Sequence, residues 1–394
     1  MHILDESEHR VKKICVVIGS RANYSSIKSA LRAIAAHPEL SLQIVAGASA
    51  LLDRYGAVAR LIERDGFAIA AKVHMLIEGE TPVTMAKSTG LGLLELPTVF
   101  ATLAPDIVLT VGDRFETMAT TLAAAYMNIP IAHTMGGEVS GTIDESIRHA
   151  VTKFAHLHFP ASRGARERII RLGEPAETVH LVGCPRVDLV AEILGDGTAP
   201  LDAAIFDLGV GDRLDLDAPF LLVSQHPVTT EYGEGERQIT TTLEAVREIG
   251  LPAIVLWPNA DAGSEDIARG IRKLRERGLA QGMHFFKNLP VETYIRLMAR
   301  AACLVGNSSS GIREGAYIGT PVVNIGSRQA GRERGRNVLD VPHEKDAIVA
   351  ALRRQAAQRR YPSDTIYGDG EAGRRIAEVL AATGRIDIQK RITY

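Results

Sequence analysis

The sequence lacks most of what would tie it to a membrane, a disulfide framework or a nucleic acid. Only three cysteines occur in 394 residues, too few for a stapled extracellular scaffold. Cys15 and Cys303 sit inside the apolar runs KICVVIG and ACLVG, far from each other and from Cys184. They read as small buried hydrophobes in a reducing compartment. No apolar run is long enough to cross a bilayer. The opening stretch MHILDESEHRVKK is charged and has no apolar core, so no secretory signal is expected. The net charge is −2, which argues against a nucleic-acid surface. Nowhere do His, Cys, Asp and Glu fall at metal-ligand spacing, so no metal is expected. A cytoplasmic protein with no membrane or nucleic-acid partner is the expectation.

What is present is an α/β rhythm. At 46% hydrophobic and 23% charged residues the composition is that of an ordinary globular protein with material for two cores. The runs KICVVIG, LQIVAG, DIVLTVG, IPIAH and VHLVG read as buried strands. SIKSALRAIAAH, AVARLIERDG and FETMATTLAAAYMN have apolar residues at helical spacing. The rhythm pauses over GDGTAPLDAAIFDLGVGDRLDLDAP, rich in Gly, Asp and Pro. It resumes with FLLVSQ, PAIVLWP, MHFFK, ACLVG and PVVNIG. Strands separated by helices imply parallel sheets covered on both faces. We expect two Rossmann-like domains facing a cleft: 1–195, a linker at 196–218, and 219–370, with a C-terminal helix and tail at 371–394.

In such sheets ligands bind outside the C-terminal strand ends, so the loops that follow strands are the candidate site. GSRANYSS places Arg21 where a strand gives way to a helix, a position suited to a phosphate but equally to a plain βα turn. VGDRFE puts Asp113 and Arg114 at a strand tip, for acid–base work or for capping a helix. HTMGGEVSGTIDESIRHAVTK has a glycine pair for a sharp turn. Thr142 or Asp144 follows near a helix cap, and Asp144 and Arg148 are spaced to share a helix face. SQHPVTTEYG puts His226 at a strand end, and WPNADAGS offers Asn259 and Asp261. The strongest signal is VGNSSSGIREGAYIGTPVVNIG. Four small residues in a row leave backbone N–H groups uncovered where a helix begins, a ready diphosphate site. Glu314 follows, placed to accept from ribose hydroxyls.

Taken in order, SRANYS, VGDRFE, GGEVSGTIDESIRHAVTK, QHPVTTE, PNADAGS and GNSSSGIREGAYIGTPVVNIGSRQAGRERGRNV resemble the hydrolysing UDP-N-acetylglucosamine 2-epimerases along nearly the whole chain. The resemblance implies the GT-B fold, a UDP-sugar substrate, no cofactor and a homodimer or homotetramer. Carried across, it assigns UDP binding to Arg21, Ser25, Arg114, His226, Asn259, Ser308, Ser309, Ser310, Glu314 and Arg328, and acid–base work to Asp113 and Asp144. Three positions depart from the family pattern. Met135 replaces a carboxylate in HxEGGE, Asn23 replaces the aspartate of RADYS, and Val111 stands where the sialic-acid branch often has histidine. Glu138, three residues on from Met135, is the candidate substitute for the missing acid.

The reaction implied is elimination of UDP to a glycal, then addition of water. It needs a base, an acid and stabilisation of the departing diphosphate by Arg21, Arg114, His226 and the GNSSSG amides. The competing readings are a sister epimerase acting on a 2,4-diacetamido-6-deoxy UDP-sugar or a GDP-sugar, a non-hydrolysing epimerase, a glycosyltransferase of the same fold, and a nucleotide-sugar-binding regulator without catalysis.

Overall fold

The computed structural model describes residues 11–391, except 80, 142, 196, 198–200, 259, 260 and 288. Two sheets form from the runs whose residues are apolar and often β-branched. In the first sheet the strands are β1 (Lys12–Ile18), β2 (Leu40–Gly47), β3 (Ile69–Val73), β4 (Ile107–Val111), β5 (Ile131–Thr134) and β6 (Leu157–Phe159). Their spatial order is β3-β2-β1-β4-β5-β6, and neighbouring strands run parallel. Every residue of β4 is buried, as expected for a strand covered by helices on both faces.

The second sheet contains β7 (Gly209–Gly211), β8 (Leu221–Ser224), β9 (Ala253–Leu256), β10 (Met283–Phe286), β11 (Cys303–Gly306), β12 (Val322–Ile325) and β13 (Val338–Val341). Its order is β13-β12-β11-β8-β9-β10-β7. The strand order reverses at the β1/β4 and β11/β8 pairs. These are the topological switch points where such sheets open a crevice.

The structure differs from the expectation in three places. The stretch 196–218 is not simply a linker: β7 comes from it and pairs antiparallel with β10. Phe206, 3% exposed, joins the core beside Phe286. One aromatic and a short extended run dock this segment on the sheet edge despite its Gly- and Asp-rich composition. VHLVG does not form a strand. A single bridge joins Val179 to His158, and Pro160 has no N–H to extend the ladder. Finally, the helix Ala372–Ala382 packs on the first unit. Its Ile376, Ala377 and Leu380 share a core with Leu31 and Ile34. Asp188 accepts from the N–H groups of Ala372 (3.0 Å) and Gly373 (2.7 Å) at its start. Lys12 Nζ donates to the carbonyls of Leu380, Ala381 and Thr383 at its end, where a cation complements the helix dipole.

All three cysteines are buried and free. Among the described residues, no helix is long and apolar enough to cross a membrane.

Candidate active site

The loops after β1, β4 and β5 face the loops after β8, β9, β10 and β11 across one cleft. Asp113, Asp144 and Arg148 line it, together with Arg21, Ser25 and Arg114 from the same unit. From the other unit come His226, Ser309, Ser310, Glu314 and Arg328. Most of the strand-end candidates therefore converge. Asn259 lies outside the described residues. Glu138 and Ser308 are not among the lining residues.

The turn after β5 shows why carboxylates sit beside glycines. Met135 and Gly137 both take left-handed backbone, φ 60° and 73°. A Cβ at Gly137 would run into the Ala165 carbonyl, so only glycine fits there. Met135 costs about 1–2 kcal/mol in that region. It is held by its N–H, which donates to the Phe159 carbonyl at 3.0 Å. The carbonyls beyond the turn are then pinned in succession. Arg168 donates to Gly137 O (2.8 Å), Arg148 to Glu138 O (2.7 Å) and Arg332 to Val139 O (3.2 Å).

Glu138 is the first correction. Its side chain is 2% exposed and lies against Arg313 Nη2 at 2.5 Å and Arg332 Nη1 at 3.4 Å. Burial alone would raise its pKa, but Arg313, Arg332 and Arg148 outweigh burial and hold it below the usual range. Glu138 is thus a buried counter-ion that ties the β5 turn to two arginines of the other unit. Its carboxylate is held by those arginines and is not among the groups that line the cleft. Removing one partner of such a buried set costs about 3–5 kcal/mol.

Arg148 is the second. It does not pair with Asp144 four residues away. Its fully buried guanidinium binds Asp113 Oδ2 instead, through Nη2 and through Nε at 2.9 Å, and Nη2 also donates to Ser140 Oγ at 3.1 Å. Asp144 opens the helix Asp144–Phe154, whose cap position is Ile143 with no side-chain cap. Neither Asp144 nor Asp113 serves as the cap that either position suggested. Arg114 occupies the cap before Phe115–Tyr126.

These partners separate the two carboxylates. Burial would raise Asp113, but the charge and hydrogen bonds of Arg148, with Arg332 and Arg313 beyond it, hold it down at about 2. Asp144 goes the other way. Burial and the nearby carboxylates of Asp113 and Asp261 push it up to about 7, against Arg328 and Arg114. Two carboxylates in one cleft with opposed protonation are the pattern of a base and an acid. Asp113 stays ionised near neutral pH, and Asp144 can arrive with a proton.

The anion-binding candidates divide in a similar way. Arg114 faces Asp261 at 2.9 Å and Glu116 at 3.0 Å, so its charge is already matched across the cleft. Burial, then the nearby Arg328, lowers the pKa of His226 to about 3. The imidazole is neutral and acts as a hydrogen-bonding group, not as a cation. The main chain of His226 is fixed by Asn307, which accepts from its N–H at 2.7 Å and donates to its carbonyl at 2.9 Å. The serines after Asn307 start a helix of only four residues, Ser309–Ile312. It breaks at Arg313 (φ −85°, ψ −70°) before Glu314–Ile318. A broken helix has little macrodipole, so uncovered amides and nearby arginines matter more here than the dipole. Ser308 caps it, and Ser310 Oγ bonds Ser308 Oγ (2.8 Å) and Tyr294 Oη (2.5 Å).

Asn23 has a clear local reason. Its Nδ2 donates to Val111 O and its Oδ1 accepts from Gly19 N–H, both at 3.2 Å. The amide joins the tips of β1 and β4, and an aspartate could not make the first bond. Sequence reasoning missed Arg186, Arg313 and Arg332, which line the same cleft. Arg186 was within reach, since GCPR follows the strand-like VHLVG and the strand-end rule applies to it. Arg313 sits in the small-residue stretch NSSSGIREG and Arg332 in the basic run SRQAGRERGR, and neither spacing says anything about a partner as distant in sequence as Glu138.

The UDP-N-acetylglucosamine 2-epimerase family model matches residues 32–381. The chain belongs to the UDP-N-acetylglucosamine 2-epimerase family. A UDP-N,N'-diacetylbacillosamine 2-epimerase (hydrolyzing) of Legionella pneumophila is 35% identical over 94% of this chain and 96% of its own. A GDP/UDP-N,N'-diacetylbacillosamine 2-epimerase (hydrolyzing) of Campylobacter jejuni is 30% identical over 84% of each chain. The UDP-GlcNAc 2-epimerase of Neisseria meningitidis, solved with UDP-GlcNAc bound, superposes with a TM-score of 0.78 at 16% identity, covering 94% of this chain and all of that one. That likeness establishes the expected fold, two Rossmann-like units of GT-B type. Together the family match and these relatives make the chain a UDP-sugar 2-epimerase.

Proposed function

We propose that this family member is a hydrolysing 2-epimerase. It converts a UDP-linked 2-acetamido sugar and water into UDP and the free C2-inverted sugar. The observation that carries the reading is that two carboxylates, Asp113 and Asp144, line one arginine-rich cleft, with Arg148 bound to Asp113 and not to Asp144. The C1–O bond to UDP breaks and its electron pair leaves with the diphosphate, while H2 passes to a carboxylate. Water then adds to C1 of the glycal, and a proton is delivered to C2 from the opposite face. Asp113 cannot be the donor, because Arg148 keeps it ionised. It takes H2, which becomes more acidic as positive charge builds at C1, and loses that proton readily to water. Asp144 is the donor. Arg21, Arg328, neutral His226 and the Ser309–Ser310 amides stabilise the departing diphosphate, and Glu314 accepts from the ribose.

The substrate we favour is a UDP-2,4-diacetamido-6-deoxy sugar. Two relatives at 30% identity or more are named for N,N'-diacetylbacillosamine, and Met135 is among the residues that line the cleft where the family pattern has a carboxylate. The reading includes a cytoplasmic homo-oligomer. The buried free thiols support the compartment. Exposed apolar residues support the assembly: Val83 and Leu94 are 62% and 73% exposed on the helix Pro82–Leu103, and Tyr126 is 82% exposed on the neighbouring helix.

The direct test offers the purified protein UDP-diacetamido-trideoxyhexose, UDP-N-acetylglucosamine and a GDP-linked analogue, without any acceptor. Free UDP and a free C2-inverted sugar are expected, fastest from the first substrate. No nucleotide release from any of them, or inversion with the sugar still on UDP, would overturn the proposal.

A pH profile tests the acid. If Asp144 must start protonated, kcat/KM should fall as pH rises through about 7, roughly tenfold per pH unit. Asp261 is one of the groups that raise Asp144, so Asp261→Asn should move that limb to lower pH. A flat profile over roughly pH 6 to 9 would remove Asp144 as the donor.

A further inference from the structure

Arg186 reaches across the cleft and joins two groups of different kinds. It starts the helix Pro185–Gly195 in the first unit. Its Nη1 donates to Ser25 Oγ at 2.7 Å, and its Nε pairs with Oε1 of Glu314 in the other unit. The Glu314 side chain is 2% exposed and that of Arg186 17%. Arg21 lines the cleft beside them. Its pKa is lowered to about 10, by burial first and then by the neighbouring Arg186 charge. Two guanidiniums that disfavour each other are best satisfied by an anion with more than one charge.

A nucleoside diphosphate brings both kinds of partner these residues need. Its ribose hydroxyls are donors, and Glu314 is an acceptor. Its diphosphate accepts, and arginines donate. While Arg186 holds Glu314, one carboxylate oxygen is occupied. A carboxylate this buried cannot be left without a partner at small cost, so it can give up Arg186 only when other donors arrive.

We propose that Arg186 is a positioning residue that alternates between two anions: Glu314 and the diphosphate of a nucleotide. This rests on the nucleotide reading above. When the diphosphate draws Arg186 away, Glu314 is released to the ribose. A nucleoside without phosphates has nothing to draw Arg186 with and must compete with it for Glu314.

The handover predicts different effects on two probes. In Arg186→Gln, UDP should bind about 10- to 100-fold more weakly, the loss of a charge-assisted contact. Uridine should bind as tightly as to the unmodified enzyme, or more tightly, because Glu314 is no longer masked. Ligand-observed NMR titration reads both affinities, and thermal melting confirms folding. Arg186→Lys keeps the charge without the fork and should fall between the two for UDP. It carries the same comparison if the glutamine variant does not fold. Unchanged UDP affinity would overturn the proposal, as would weakening of UDP and uridine by the same factor, the mark of a purely structural role. If the unmodified enzyme binds neither UDP nor uridine, the nucleotide reading fails and the handover falls with it.

Discussion

Asp113→Asn is expected to lower turnover by roughly 10²–10⁴-fold, the usual contribution of a positioned proton-transfer group. UDP affinity should change little, because the reacting carbon and not the nucleotide is what Asp113 serves. The substitution conserves shape and removes one charge. Two further effects follow from the geometry. Arg148 loses the carboxylate that its Nε and Nη2 hold, so the protein should melt at a lower temperature. The exposure of the Asp113 side chain, 22%, keeps that cost below the value for a fully buried pair. Asp144 loses one of the charges that raise its pKa and becomes a weaker reservoir of protons near neutral pH. Single-turnover rates and UDP titration, with folding checked at the assay temperature, separate these effects. Turnover equal to that of the unmodified enzyme would take Asp113 out of the mechanism.

The second large effect is isotopic. If UDP is eliminated and the glycal then hydrated, the proton that reaches C2 comes from a carboxyl group in exchange with solvent. In deuterium oxide nearly every molecule of released sugar should carry deuterium at C2. In ¹⁸O-water the label should enter at the sugar C1 oxygen and not in UDP, because elimination breaks the C1–O bond. The sugar must be read quickly, since a free reducing sugar exchanges its C1 oxygen unaided. Hydrogen retained at C2 would mean plain hydrolysis. Label in UDP would mean attack at phosphorus. Either result is incompatible with Asp113 and Asp144 acting on C2, even if the Asp113 variant proves slow.

The two predictions fail in different ways and so bear on different links. Loss of rate in the Asp113 variant without isotope entry would leave a hydrolase whose carboxylate acts at C1. Isotope entry with a fully active Asp113 variant would keep the elimination and move the base elsewhere. Other titratable groups that line the cleft include Asp144 itself and neutral His226.

The sequence by itself determined the two parallel sheets, because continuous apolar runs such as IVLTV and LLVS have only one stable environment, a strand covered on both faces. It also pointed to the loops after the strands, since in parallel sheets ligands bind outside the C-terminal strand ends. Asp113, Asp144, Arg21, His226, Ser309 and Glu314 were found that way. What only the tertiary structure decided was the partner of each charge. Spacing placed Asp144 and Arg148 on one helix face, yet Arg148 went to Asp113, 35 residues away. Glu138 stood where a replacement acid was wanted, yet Arg313 and Arg332 from the other unit closed over it. Arg186 met Glu314 only because the two units face each other. The physical reason is that local periodicity sets the direction in which a side chain leaves the backbone, whereas pairing and protonation depend on distance and on exclusion of water, which are set by segments far apart in the chain.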